Sequence, residues 1–362
     1  MLKSYFIKSL FGLYTYHLTL ESEGTDNSIK FITGPNGYGK TTILNILEAL
    51  YKYQLEELSK IHFDEIELIY DDGHGIDILQ KRIYMETDED TDERQCQDIR
   101  FEILFYKNSH ENKIYSIIWN SSQSTGGTSD LGNIGLSLFF SSHPVYYIRD
   151  KRMQKADMTP TVKANALLFG SLLRDIQNKI LITTDNTYSC QESIDINNED
   201  LEKYIDVLRS CNLIGGKEDK DILKCRMAAN IDFIRKLQAF ISIIQKAEFA
   251  NKELQISPRY GYRFRAKDED RTILSAECLS SGEQQIMILT YELLFVAPDD
   301  SLVLIDEPEL SFHPAWQGDF LDDMKLISSL KPMQCIVSTH SSQIFKNFWH
   351  LSVDLFEQQI HE

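Results

Sequence analysis

Gly34-Pro35-Asn36-Gly37-Tyr38-Gly39-Lys40-Thr41-Thr42 decides how the rest of this 362-residue sequence is read. It satisfies G-x-x-x-x-G-K-[ST], the spacing of a phosphate-cradling loop. An apolar run at 29–33 precedes it as a strand, and Ile43, Ile46, Leu47 and Leu50 follow it at the spacing of an amphipathic helix. Glycines without Cβ let successive backbone N–H groups curl toward an anion, and the helix beginning near Lys40 points its positive end at the same place. Lys40 is expected to reach the terminal phosphates and the Thr41 hydroxyl to ligate Mg²⁺, with Asn36, Gly37, Gly39 and Thr42 completing the cradle. The plainer alternative is a Gly-rich turn with no ligand, since the pattern arises by chance in roughly one such chain per hundred. A strand before it and a helix after it favour the phosphate loop.

Three further segments carry chemistry. Leu279-Ser280-Ser281-Gly282-Glu283-Gln284-Gln285 opens a helix with small hydroxyl residues and a glycine, which makes either a second anion site or simply a capped helix. Next, Ser301-Leu302-Val303-Leu304-Ile305 leads to Asp306-Glu307-Pro308-Glu309, two adjacent acids at the end of a buried strand. Asp306 suits a Mg²⁺ partner, and Glu307 is placed to orient and deprotonate an attacking water. Finally, the strand 335–338 ends at Thr339-His340-Ser341-Ser342. A lone histidine is usually structural, but open α/β folds bind ligands at strand C-terminal ends, so His340 is expected to meet a phosphate or the water.

In this order the four elements resemble the ABC-type ATPases, and among them the SMC-like, OLD-like and RecF-like soluble heads. By that resemblance, residues 34–42 are similar to Walker A, 279–285 to the ABC signature, 305–309 to Walker B, and His340 to the switch histidine. The segment 309–317 resembles the D-loop of OLD-like and RecF-like ATPases, and 6–12 the first strand of SMC-like heads. The resemblance implies ATP and Mg²⁺ as ligands, and Lys40, Glu307 and His340 as catalytic residues. It also implies a head-to-tail dimer in which Ser280, Gly282 and Glu283 of one copy face the nucleotide of the other. For the Q-loop glutamine, Gln154 is the candidate, with Arg152 beside it.

The expected fold is α/β, an ABC-type P-loop NTPase head of mixed and parallel sheet with flanking helices and an inserted α-helical subdomain. Strands are expected at 5–11, 29–33, 66–70, 101–106, 145–148, 302–305 and 335–338, the last two nearly all apolar as buried parallel strands are. Between Ala164 and Leu254, Met227, Ile231, Ile234, Ile241 and Ile244 recur at helical spacing. The expected division is a lobe at 1–160, the helical insertion at 161–255 and a second lobe at 256–362. The insertion is too short for a long coiled coil, and no Toprim nuclease is expected after His340.

Hydrophobic content of 42% and charged content of 25% are those of an ordinary globular protein. The six cysteines contain no C-x-x-C pair, and no apolar run forms a signal peptide or membrane span, so a cytoplasmic protein is expected. A net charge of −18 disfavours DNA binding over the whole surface. The acid-rich run 86–93 and the Ser/Thr/Gly-rich run 121–132 read as loops. Arg259-Tyr260-Gly261-Tyr262-Arg263-Phe264-Arg265-Ala266-Lys267 could stack bases, or form a hairpin leading to the signature; the alternation favours the hairpin.

The resemblance implies a bacterial antiphage-defence ATPase acting as sensor or scaffold for a separate effector protein, with a nuclease the commonest kind. A RecF-like DNA-repair ATPase on duplex DNA is the alternative. A transporter subunit is disfavoured because the signature stands too far from Walker A.

Overall fold

The computed structural model describes residues 1–21, 28–84, 96–123, 136, 139–140, 144–149, 161–181, 197–215, 220–275 and 278–359. The expected loop 86–93, most of 121–132, and Arg152 and Gln154 lie outside these residues.

In chain order the first elements are β1 (Leu2–Leu10), β2 (Tyr14–Thr19), β3 (Ile29–Thr33), α1 (Lys40–Tyr51), α2 (Leu55–Ser59), β4 (Glu65–Tyr70), β5 (His74–Tyr84), β6 (Cys96–Lys107), β7 (Ser109–Asn120) and β8 (Val145–Ile148). Then come α3 (Val162–Leu181), α4 (Asn198–Ser210), α5 (Lys220–Ala228), α6 (Ile231–Lys246), β9 (Lys252–Ser257), β10 (Gly261–Ala266) and β11 (Ile273–Leu274). The last are α7 (Ser281–Tyr291), β12 (Ser301–Asp306), α8 (Pro314–Leu330), β13 (Met333–Ser338) and β14 (Ser352–Asp354).

Two compact units result. The first comprises Met1–Asp150, Pro298–Glu309 and Pro332–Glu362, and the second Lys151–Ala297 and Leu310–Lys331. The stretch expected as a C-terminal lobe is thus divided: its strands β12, β13 and β14 join the first 150 residues, while β10, β11, α7 and α8 join the helices.

The first unit holds two sheets. One is antiparallel, in the order β2-β1-β4-β5-β6-β7, and the other parallel, in the order β14-β3-β13-β12-β8. Every residue of β12 and β13 is buried, as strands covered on both faces require. In the antiparallel sheet one face alternates inward with Tyr5, Ile7, Ile66, Leu68, Ile76, Ile78, Phe101, Ile103 and Phe105. These meet Ile43, Leu44, Ile46, Leu47 and Leu50 of α1 and Leu302, Leu304 and Ile336 of the parallel sheet in one core. Gln334 of β13 ties the sheets together as a surrogate strand neighbour. Its Oε1 accepts from Leu2 N–H at 2.8 Å and its Nε2 donates to the Leu2 carbonyl at 2.6 Å.

The second unit contains α3 to α8 and the small antiparallel sheet β11-β10-β9. Asn197 caps α4 by accepting from Asp200 N–H at 2.8 Å, and acids fill its first turn. Residues 252–254, expected to be the end of the helical insertion, open β9 instead. Of the strand expectations, 29–33 and 145–148 coincide with β3 and β8, and the others shift by a few residues or lengthen. No helix among the described residues is long and apolar enough to cross a membrane.

Candidate functional site

The loop between β3 and α1 is built on left-handed backbone. Gly34, Gly37 and Gly39 have φ of 143°, 87° and 87°. At Gly39, the residue that caps α1, a Cβ would stand 2.8 Å from Leu10 Cδ2 and 3.3 Å from Phe11 Cε2, so conformation and space both demand glycine. Asn36 and Gly37 are exposed at the tip, and Thr41 and Thr42 are half-buried in the first helical turn.

Lys40 is only 5% exposed. Its Nζ donates to the carbonyls of Gly34 at 2.8 Å and Pro35 at 3.2 Å, and stands 3.4 Å from His340 Nδ1. Burial pulls its pKa down, opposed by the carboxylates of Glu307, Asp306, Glu309 and Asp354. One lysine thus sits among four acids.

Opposite the loop, the adjacent parallel strands β12 and β13 end level with each other, with Asp306 paired to Ser338. Asp306 Oδ1 accepts from the Thr41 hydroxyl at 3.1 Å and from the Ser338 hydroxyl. Two hard oxygen donors from different elements therefore lie side by side, a donor set that fits Mg²⁺. Past Asp306 the backbone turns left-handed at Glu307, with φ of 45°. For a non-glycine residue this costs roughly 1–2 kcal/mol, and such strain concentrates at functional positions. A hydrogen bond from Glu307 N–H to the Ser338 carbonyl at 3.0 Å holds the turn.

The turn separates two neighbouring acids. Asp306 stays buried, while the Glu307 side chain is 24% exposed, with Oε1 3.3 Å from His340 Nε2. Burial raises the Glu307 carboxyl above its ordinary range. Asp306 and Glu309 add to the rise, and His340 and Lys40 oppose it. A carboxylate held near a histidine with its basicity increased is suited to take a proton from water.

The geometry therefore brings together Lys40, Thr41, Asp306, Glu307 and His340, from three separate stretches of sequence. One neighbour absent from the sequence expectations is Glu309, whose Oε1 accepts from His340 N–H at 2.7 Å. Its adjacency to Glu307 in the sequence was the available signal. Another is Arg149, which follows β8 at the sheet edge beside β12, ion-pairs with Glu48 and lies 4.7 Å over the Tyr147 ring.

In the second unit, residues 279–285 begin α7. Ser280 is its N-cap: its hydroxyl accepts from Glu283 N–H at 3.2 Å, and the Glu283 carboxylate accepts from Ser280 N–H at 2.7 Å, a capping box. Lys252 Nζ also donates to both Glu283 oxygens, at 2.8 and 2.9 Å, and Glu283 is 4% exposed. That carboxylate, expected to face nucleotide, is committed to the helix cap and to a lysine. Gly282 has a packing reason of its own, because a Cβ there would lie 2.3 Å from the Ser311 carbonyl oxygen and 2.9 Å from the Trp316 ring. The Ser280 side is exposed, and the helix N-terminus remains available to an anion.

The basic aromatic stretch is the β9–β10 hairpin, in line with the preferred expectation. Tyr262 and Phe264 are each 3% exposed and turned into the core, and the Arg263 guanidinium lies 4.0 Å over the Tyr260 ring. The base-stacking alternative is therefore corrected, since the two central rings present no face to a nucleic acid.

Residues 171–345 match the family described as "AAA domain, putative AbiEii toxin, Type IV TA system". A stretch of 100 residues is 34% identical to the "Retron Ec83 probable ATPase" of Escherichia coli, a match covering 23% of this chain and 18% of that protein's length. Among solved structures, the chain is similar to the Smc head domain of Pyrococcus furiosus bound to the C-terminal domain of ScpA, at 16% identity and a TM-score of 0.40 over 96% of this chain and 91% of that one. It is also similar to the SMC head domain from Thermotoga maritima, at 13% identity and a TM-score of 0.37 over 95% and 91%. The family match to the AAA domain thus covers residues 171–345, a little under half of the chain, and it takes in Asp306, Glu307 and His340 of the cluster but not the loop 34–42.

Proposed function

We propose that this protein binds Mg²⁺-ATP on the loop 34–42 and hydrolyses it at a head-to-tail dimer interface, as the sensor or scaffold of a bacterial antiphage-defence system that controls a separate effector. The observation that carries the hydrolytic reading is the cluster of Lys40, Thr41, Asp306, Glu307 and His340 at the ends of β12 and β13. In this reading Lys40 leaves the loop carbonyls to meet the β and γ phosphates. Thr41 and Asp306 hold the metal. When bound, Mg²⁺ neutralises charge on the phosphates and orients them. Glu307 orients the attacking water and accepts its proton, while His340 steadies Glu307 and the terminal phosphate. Ser280 and Gly282 of a second copy would close the site from the opposite side.

The defence role is supported by the similarity to a retron ATPase and by the family description, and both are partial matches. The effector is proposed as a separately encoded protein, a nuclease being one kind. A RecF-like DNA-maintenance role is the second reading, and the net charge of −18 and the inward rings of β10 weigh against it.

Sedimentation of Glu307→Gln with Mg²⁺-ATP, beside phosphate release by the unaltered protein, tests the core of the proposal. The expected outcome is steady release by the unaltered protein and a stable dimer of the variant. A monomeric variant saturated with ATP would remove the dimer, and no release by the unaltered protein would remove hydrolysis. DNA-stimulated turnover that weakens with salt would favour the second reading.

A further inference from the structure

Glu309 follows the turn that carries Asp306 and Glu307 and is 7% exposed. Its Oε1 accepts from the backbone N–H of His340 at 2.7 Å, while its Oε2 is buried with no hydrogen-bond partner among the described residues. A carboxylate removed from water persists only where donors or charges compensate it. Here the donor is the main chain of the segment leaving β13, so a side chain from one strand end fixes the backbone of the neighbouring strand end. The imidazole on that fixed backbone lies 3.3 Å from Glu307 Oε1 and 3.4 Å from Lys40 Nζ. Thr339 and Ser341 close the same segment locally, Thr339 Oγ1 accepting from Ser341 N–H at 3.0 Å.

We propose that Glu309 is a positioning residue for hydrolysis, its buried carboxylate holding the His340 main chain so that the imidazole stays against Glu307 and Lys40. This rests on the ATPase reading above. Two consequences separate. The hydrogen bond sets where the ring sits, and any acceptor of the same shape preserves it. The negative charge is a separate property, which glutamine removes while keeping the acceptor.

Glu309→Ala and Glu309→Gln in the full chain distinguish the two. Three quantities are read: ATP turnover, Mg²⁺-ATP affinity by titration, and the His340 backbone amide resonance in ¹⁵N-histidine-labelled protein, assigned by its loss in His340→Gln. Glu309→Ala is expected to shift that resonance upfield and to lower kcat by about 10- to 100-fold, as a misplaced group does, with the Kd for ATP within about threefold. Glu309→Gln is expected to keep the resonance and most of kcat. Wild-type kcat and amide shift in Glu309→Ala overturn the proposal. So does a loss of kcat in Glu309→Gln equal to that in Glu309→Ala while the resonance is kept. If the unaltered protein turns over no ATP, the hydrolytic reading fails on its own account, and the amide shift of Glu309→Ala still decides whether Glu309 holds His340.

Discussion

Replacing Glu307 separates chemistry from strain at one position. Glu307→Gln keeps the size and removes the base, and loss of a general base costs about 10²- to 10⁴-fold in rate. Mg²⁺-ATP binding should persist, because Lys40, Thr41 and Asp306 are untouched. The fold should not suffer. A carboxyl whose pKa is raised in the folded state binds its proton more tightly there, so its ionised form weakens the fold as pH climbs past the ordinary glutamate value of 4.5. Glutamine removes that penalty, and the gain should fade below that pH. Glu307→Gly goes further, because φ of 45° is free for glycine and costs a β-carbon roughly 1 kcal/mol. In a protein of this size that is about 2 °C in melting temperature. Phosphate release, ATP titration and thermal melts at neutral pH read all three effects. Turnover of Glu307→Gln within tenfold of the unaltered enzyme would refute the base assignment, and a Glu307→Gly protein melting at or below the unaltered one would refute the strain.

Lys40→Ala should weaken ATP binding by about 10- to 100-fold, the loss of one charged hydrogen-bonding group, with titration as the check; an unchanged Kd would contradict it. Gly282→Ala should destabilise the second unit by about 1–3 kcal/mol through overpacking against Ser311 and Trp316, which a shifted denaturant midpoint would reveal. Asp77 lies in the antiparallel sheet, where burial and the nearby Glu65 push its carboxyl from 3.8 up to about 6, His110 opposing and Glu67 assisting. Its ionised form weakens the fold as pH rises through that window, so Asp77→Asn should stabilise the protein at neutral pH by about 1 kcal/mol after solvent screening, and by nothing below pH 3.8. A constant gain across that range would contradict the assignment.

The phosphate loop and the acid-bearing strand were legible because their signals are local. Residues 29–42 and 301–307 each carry strand, turn and functional group in one run. The strands β5 and β7 were not. Most of β7 is exposed, and a solvent-facing edge strand carries little apolar alternation to read. Glu309 stayed hidden for another reason: its contact is with a backbone amide 31 positions away, and no side-chain pattern encodes a main-chain partner. Gly282 and Glu283 show the converse, since the residues that suggest anion binding also satisfy a helix cap and a tight packing contact. The division into units escaped the sequence because β12 and α8 are neighbours in the chain yet belong to different units.

The order of strands in the parallel sheet has a consequence for biosynthesis. Among the described residues, β3 hydrogen-bonds as a strand only to β13 and β14, which come about 300 residues later. At roughly 5–20 residues per second, a ribosome would need on the order of 15–60 s to deliver those partners. During that interval the nascent chain holds an unpaired apolar segment followed by an unformed nucleotide loop, exposed to chaperones or to other nascent chains. On the proposed ATPase reading, capture of ATP is thereby deferred until β13 and β14 emerge, so truncated translation products would carry the loop sequence without the ability to engage nucleotide.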